Sequence, residues 1–221
     1  MRHTLTVLIL ILSPLLVGFG EKPAININDL IKNGSFYYDK FSQEPYTGEV
    51  ISWYENGELE FKGYLTEGMK NGLWEYFYEN GSLSKKGKYK YLKRDGLWTY
   101  FHENGSMFQR GNFKNDLRTG VWETFDSNEI LIIKTTYKGR EFDFLQELFH
   151  SNGSLSQRGN VKDGQMDGLH ESFDMDGSLE MIRHYKHGKR DGLMEFFNVD
   201  GEVRSRYCFQ DDKEVDMSFC T

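Results

Sequence analysis

The sequence predicts an all-β chain: one elongated, meandering antiparallel sheet built from about seven β-hairpins of 24 residues each. Three observations carry this expectation. The stretch 71–94, NGLWEYFYENGSLSKKGKYKYLKR, is repeated almost position by position in 95–118, DGLWTYFHENGSMFQRGNFKNDLR. Two glycine columns keep the same step of 24: Gly48, Gly72, Gly96, Gly120, Gly168 and Gly192, and Gly57, Gly81, Gly105, Gly153, Gly177 and Gly201. So do an aromatic column, Trp53, Phe77, Phe101, Phe125, Phe149, Phe173 and Phe197, and an aliphatic one, Leu59, Leu83, Met107, Leu131, Leu155, Leu179 and Val203. The step runs without insertion or deletion from Gly48 to about Asp216, and a repeat of this kind decides the architecture before any single element is read.

Bulk properties agree with a folded array. Only three prolines in 221 residues, with 15% aromatic residues, argue against disorder. A mean hydropathy of −0.64 argues against a bundle of membrane helices. The net charge of −7 makes a nucleic-acid backbone a poor partner.

Taken in order, residues 1–20 have the layout of a secretory signal peptide. A short polar and positive start, Met1 to Thr4, precedes an apolar run from Leu5 to Val17, and Gly18 and Gly20 supply the small residues for cleavage before Glu21. The run is shorter than the roughly 17–25 residues that cross a bilayer, and it contains no cysteine for lipid attachment. The mature chain is therefore expected to be exported, periplasmic or secreted. Residues 21–35 read as a loosely structured lead-in, 36–216 as the repeat array and 217–221 as a C-terminal tail. Export permits disulfides, and Cys208 and Cys220 either close the tail onto the last hairpin or remain two unpaired thiols.

Within a unit, Leu73 to Tyr78 is too short for a helix between its glycines, and Asn80-Gly81 leads into a second run from Leu83 to Tyr89. Two such runs read as a hairpin. A three-residue loop, a type I turn with Gly81 as the left-handed bulge residue, pairs Phe77 with Leu83 and Leu73 with Gly87. That register places Leu73, Phe77, Leu83 and Tyr89 on one face, the expected core, and a one-residue slip would divide the set. The link Lys93-Arg94-Asp95-Gly96 supplies a turn dipeptide back to the next hairpin. The fourth and fifth units depart from the pattern, with Asn128-Glu129 for Asn-Gly and Phe144 for the strand-opening glycine, so the sheet should be least regular near residues 126–146.

The pattern carried by Gly72-Leu73-Trp74, Phe77, Asn80-Gly81, Leu83, Gly87 and Tyr89 resembles the bacterial variant of the MORN repeat. It is also similar to the YwqK family of antitoxin-like proteins, whose entry segment Tyr37-Tyr38 through Pro45-Tyr46-Thr47-Gly48 resembles. The resemblance covers roughly residues 36–210. It implies a solenoid-like β-sheet used for binding, and an antitoxin or immunity-like role.

Catalytic chemistry finds little support. His102, His150, His170, His184 and His187 are the histidines beyond the leader; His184 and His187 fall on a strand and link where their side chains need not converge on a metal. No serine or cysteine sits in a nucleophile elbow, and the glycines belong to turns rather than to a phosphate loop. Glu75, Glu123, Glu147, Glu171 and Glu195 form one column, but equivalent strands lie about 9–10 Å apart, too far for a retaining carboxylate pair. These glutamates read as structural, bonded to a neighbouring strand or turn. The basic stretch Lys85, Lys86, Lys88, Lys90, Lys93 and Arg94 reads as a solvated sheet edge in preference to a contact for anionic lipid.

The candidate partner-binding site is the aromatic set Trp74, Tyr76, Trp98, Tyr100 and Trp122, on the face opposite the Phe and Leu columns. Its column continues as Gln146, His170 and Met194, so the repeat dispenses with tryptophan there, and aromatic residues dominate interface hot spots. The alternative is cross-strand packing that stiffens the sheet. The sequence thus describes an exported, non-enzymatic repeat protein, with no cofactor or metal, that binds a macromolecular partner. A protein partner comes first, and a carbohydrate or cell-wall polymer on the aromatic platforms second.

Overall fold

A computed structural model describes residues 23–220; the leader of residues 1–20 lies outside them. The array begins with β4 (Gly48–Trp53) and β5 (Leu59–Thr66), followed by β6 (Met69–Phe77) and β7 (Leu83–Lys90). It continues through β8 (Lys93–Phe101), β9 (Met107–Lys114), β10 (Leu117–Phe125), β11 (Leu131–Tyr137) and β12 (Phe144–Phe149). β13 (Leu155–Lys162), β14 (Gln165–Phe173), β15 (Leu179–Lys186), β16 (Lys189–Phe197) and β17 (Val203–Gln210) complete it. These strands pair strictly in chain order as an antiparallel meander, within a single sheet of 16 strands. The sheet is closed at one end by β1 (Ile25–Asn26) and at the other by β18 (Lys213–Val215).

The described part of the lead-in, from residue 23 on, is ordered, contrary to the expectation of a loose segment. β1 pairs in parallel with β4. A 3-10 turn, Ile27–Asp29, leads into the hairpin of β2 (Leu30–Asn33) and β3 (Phe36–Asp39). Ile27 and Leu30 are buried against Val50, Leu65 and Trp74. A terminal repeat has no neighbour on one side, so its apolar surface needs a cap, and these residues provide it. At the other end Cys208 and Cys220 form a disulfide, which fastens the 3-10 turn Met217–Cys220 over the last strands.

The hairpin loop is the expected one. Gly81 has φ 80°, its N–H donates to the Tyr78 carbonyl at 2.9 Å, and Phe77 pairs with Leu83. Beyond that pair the register differs. Ser84 bulges out, Tyr76 pairs with Lys85, and Trp74, not Leu73, faces Gly87. One extra residue turns the rest of the strand over, so Gly87 and Tyr89 join the tryptophan face.

The link also differs. Its turn is the two-residue pair Tyr91-Leu92, with φ 47° and 73°, the two positive values of a type I′ hairpin. The Asp-Gly that follows is not the turn. Gly96 has φ 89° and lies in an irregularity of β8 opposite Lys88, between the pairs Tyr89–Arg94 and Gly87–Trp98. The same shift recurs at four other links. It is missing between β11 and β12, where Phe144 replaces the glycine and the pairing runs unshifted. The irregular stretch expected near 126–146 is therefore a unit with short strands that lacks this bulge.

Adjacent units are tied at both edges. At the hairpin turns, Asn56, Asn80, Asn104 and Asn152 each donate a side-chain N–H to a carbonyl of the next turn, between 2.7 and 3.3 Å. Tyr54 and Tyr78 donate their hydroxyls to the Phe77 and Phe101 carbonyls, and the rings of His102 and His150 occupy the same position against Phe125 and Phe173.

Candidate interaction surfaces

The five aromatic residues expected to form an exposed platform are brought together, but the tryptophans lie in the interior. Trp74, Trp98 and Trp122 are 0%, 1% and 2% exposed. Each indole lies flat over the glycine of the preceding strand: Gly63 under Trp74, Gly87 under Trp98 and Gly111 under Trp122. Each indole N–H donates to a carbonyl facing the link irregularity, namely Tyr64, Lys88 and Asn112, at 3.1–3.2 Å. An irregularity disturbs the ladder beside that carbonyl, and the indole N–H gives it a donor. Tyr76, Tyr89, Tyr100 and Phe113 pack around the rings, with Tyr89 edge-on to Trp98 at 5.1 Å and Phe113 edge-on to Trp122 at 4.8 Å.

The assignment of Trp74, Trp98 and Trp122 to a solvent-facing platform is thus corrected: they form the core of the second, third and fourth units, with Tyr76 and Tyr100 half-buried beside them. At two of the three later positions the loss of tryptophan accompanies the loss of its glycine. Thr135 faces Gln146 and Arg183 faces Met194, while Gly159 is retained under His170, whose Nε2 lies 2.9 Å from the Asn160 carbonyl. Burial lowers the pKa of that imidazole from its ordinary value.

The opposite, outer face is the one in contact with water. Leu73, Leu97, Val121 and Leu169 are 50%, 56%, 43% and 39% exposed, in one column; the first three lie two strands apart and Leu169 four strands beyond Val121. The sequence displayed this column, but the missed bulge at Ser84 placed it in the core. Beside it runs a ladder of directly paired charges. Lys62–Glu75 and Lys134–Glu147 meet at 2.8 Å, Arg110–Glu123 at 2.6 Å and Arg206–Glu195 at 2.7 Å, and Arg158 also pairs with Glu171. These are the structural glutamates expected from the sequence. The cations lie over the Phe column, Lys62 at 5.9 Å from the Phe77 centroid and Arg110 at 5.6 Å from Phe125. Shallow hollows open beside the column, lined by Glu49, Ile51, Lys62, Leu73 and Glu75 and again, four units on, by Leu145, Glu147, Arg158, Leu169 and Glu171.

The link edge carries a column of cations on the tryptophan face. Arg94 donates from its backbone N–H at 3.0 Å and from Nε at 2.8 Å to the Asp116 carboxylate of the next link. Arg190 does the same with Asp212, at 2.9 and 3.2 Å. These bonds hold the Asp116 and Asp212 carboxyls below the ordinary range, against the opposing effect of desolvation. At Lys70 the corresponding residue is Leu92, which gives a backbone N–H to the Lys70 carbonyl at 2.9 Å but brings no carboxylate. Lys70 Nζ lies 4.1 Å from the Trp74 ring centroid and 5.3 Å from those of Tyr76 and Tyr89, and donates to the Tyr76 hydroxyl at 2.9 Å. Burial, reinforced by Lys85 and Lys32, lowers its pKa to about 8.

Among the described residues no group of three or more His, Cys, Asp or Glu side chains is arranged to hold a metal ion. His184 Nδ1 contacts the Leu193 carbonyl at 2.9 Å, and His187 offers only its backbone N–H, to Asp167.

No curated protein matches the chain. Among solved structures, a mutant TarM of S. aureus, in complex with fondaparinux, alpha-GlcNAc-glycerol and UDP, matches with 18% identity and a TM-score of 0.33, over 43% of this chain and 19% of that one. A second TarM structure matches with 17% identity and a TM-score of 0.33, over 44% and 19%. Superposition this slight indicates neither a shared fold nor a shared activity. The family model that matches is the MORN repeat variant, at residues 46–65, 70–91 and 94–115, of which the second and third contain the buried Trp74 and Trp98.

Proposed function

We propose that the chain is an exported, non-enzymatic repeat protein that holds a protein partner against its outer face. The observation that carries this reading is the exposed column Leu73, Leu97, Val121 and Leu169. The opposite face already supplies the core, so folding gives no reason to hold an apolar column in water, and contiguous exposed apolar surface marks interaction sites. The hollows beside Leu73 and between Leu145 and Leu169 offer repeated seats for a partner's side chains. Export is supported by the leader-like residues 1–20 and by the Cys208–Cys220 disulfide, which suits an oxidising compartment. An immunity-like role, in which the array covers the working surface of a toxic partner, is the finer form of this reading and rests on the YwqK resemblance. Carbohydrate binding rested on exposed tryptophan platforms, and with Trp74, Trp98 and Trp122 in the interior the protein partner is preferred.

The test compares affinity capture from the native envelope by the mature chain and by the Leu73→Asp/Leu97→Asp variant. The variant should fold with an unchanged melting temperature and lose the captured protein. Equal capture by both proteins would remove the outer face from consideration. N-terminal sequencing of protein from the native host tests export; mature protein should begin near Glu21.

A further inference from the structure

We propose a second binding site, on the tryptophan face, where Lys32, Lys70 and Lys85 receive the carboxylates of an acidic peptide segment. The array itself demonstrates what this position accepts. At two of the three other link positions that carry a cation, Arg94 and Arg190, an aspartate from the following link reaches the backbone N–H and the side chain of the cation, and at the third Arg118 donates to the Tyr137 hydroxyl. At Lys70 that aspartate is replaced by Leu92, and none of the ion pairs among the described residues involves Lys32, Lys70 or Lys85. The three ammonium groups converge instead of alternating with acids. Lys85 Nζ lies 4.6 Å from the Tyr76 ring centroid, Lys70 Nζ 5.3 Å from the same centroid, and Lys32 lies over Tyr37 beside them.

Two further features favour a carboxylate ligand on a peptide. The Tyr89 hydroxyl, which accepts from Tyr76 at 3.4 Å, stands beside Lys70 and can donate its own proton to an oxyanion. Residues 61–118 hold eleven Lys and Arg against six Asp and Glu, while the rest of the chain holds 16 against 28. An acidic segment is therefore drawn to this region and repelled elsewhere, an asymmetry that steers association as well as orienting it. Burial, with Lys85 and Lys32 nearby, lowers the pKa of Lys70, and a bound carboxylate would raise it. The site lies on the opposite face from the leucine column, so it stands or falls independently of the outer-face reading.

The experiment measures binding of a fluorescently labelled oligoglutamate peptide to the full chain at low ionic strength, by anisotropy. The decisive variant is Leu92→Asp, which supplies the carboxylate from within. It should fold normally, because Asp116 and Asp212 already occupy this link position with φ 69° and 67°, against 73° for Leu92. Leu92→Asp and Lys70→Met should each weaken oligoglutamate binding about tenfold or more, whereas Lys88→Met, on the outer face, should change it by less than about twofold. Undiminished binding by Leu92→Asp would overturn the proposal, as would an equal loss with Lys88→Met, which would indicate diffuse charge attraction. Retention on vesicles containing phosphatidylglycerol without oligoglutamate binding would also overturn it, in favour of a membrane surface.

Discussion

The pairing of a glycine with the indole lying over it makes a sharp prediction at Gly87. A Cβ added there would stand 2.2 Å from Trp98 Cδ2 and 2.4 Å from Cε2, where ordinary contact begins near 3.4 Å. The ring would have to retreat by more than about 1 Å. It has nowhere to go: it is 1% exposed, with Tyr89 edge-on at 5.1 Å and Phe113 edge-on at 6.3 Å. Overpacking of this kind costs about 1–3 kcal/mol. Displacing the indole also forfeits its bond to the Lys88 carbonyl, leaving a buried acceptor at about 1–3 kcal/mol. Gly87→Ala should therefore lose about 2–5 kcal/mol, more than the roughly 0.5–1 kcal/mol that alanine gains over glycine in the unfolded chain. Urea denaturation followed by circular dichroism and tryptophan fluorescence measures it. In a Trp98→Ala background the clash disappears, so Gly87→Ala should become neutral or slightly stabilising, a coupling of at least about 2 kcal/mol. If Gly87→Ala costs the same in both backgrounds, or lies within about 0.5 kcal/mol of the wild type, the packing argument is wrong.

Three further outcomes are expected. Trp98→Ala should cost about 3–5 kcal/mol as a core truncation, whereas its neighbour Leu97→Ala, exposed to water, should stay within about 0.5 kcal/mol; comparable losses would contradict the assignment of faces. Lys70 has a folded pKa of about 8, below its unfolded value near 10.4, so the unfolded chain binds more protons between them. The melting temperature should accordingly rise from pH 8 to pH 10, and Lys70→Met should flatten that slope; above pH 10 the raised pKa values of Tyr76 and Tyr89 reverse the trend. Reducing the Cys208–Cys220 disulfide, which spans 12 residues, should cost at most about 3 kcal/mol. The loss should appear in hydrogen exchange as local opening of β17, β18 and the terminal turn, and uniform loss of protection along the array would refute this.

The sequence by itself determined the architecture, because a 24-residue step leaves each unit only its neighbours to pack against. It determined the hairpin loop too: Gly81 occupies the one left-handed position that a three-residue loop requires, and this set Phe77 opposite Leu83. It did not determine which face is the core. Both faces carry an apolar column, Leu73 with Phe77 on one and Trp74 with Tyr76 on the other, so alternation alone does not decide between them. The decision rests on Ser84, whose bulge brings Gly87 and Tyr89 round to the tryptophans, and nothing about a serine at that position announces a bulge. The companion signal was present but divided between strands: glycine at 63, 87 and 111 lies eleven residues before each tryptophan, and its role emerges only when those strands lie side by side. The capping role of Ile27 and Leu30 was equally illegible, since they belong to no repeat and acquire their function from the open end of the sheet against which the chain folds back.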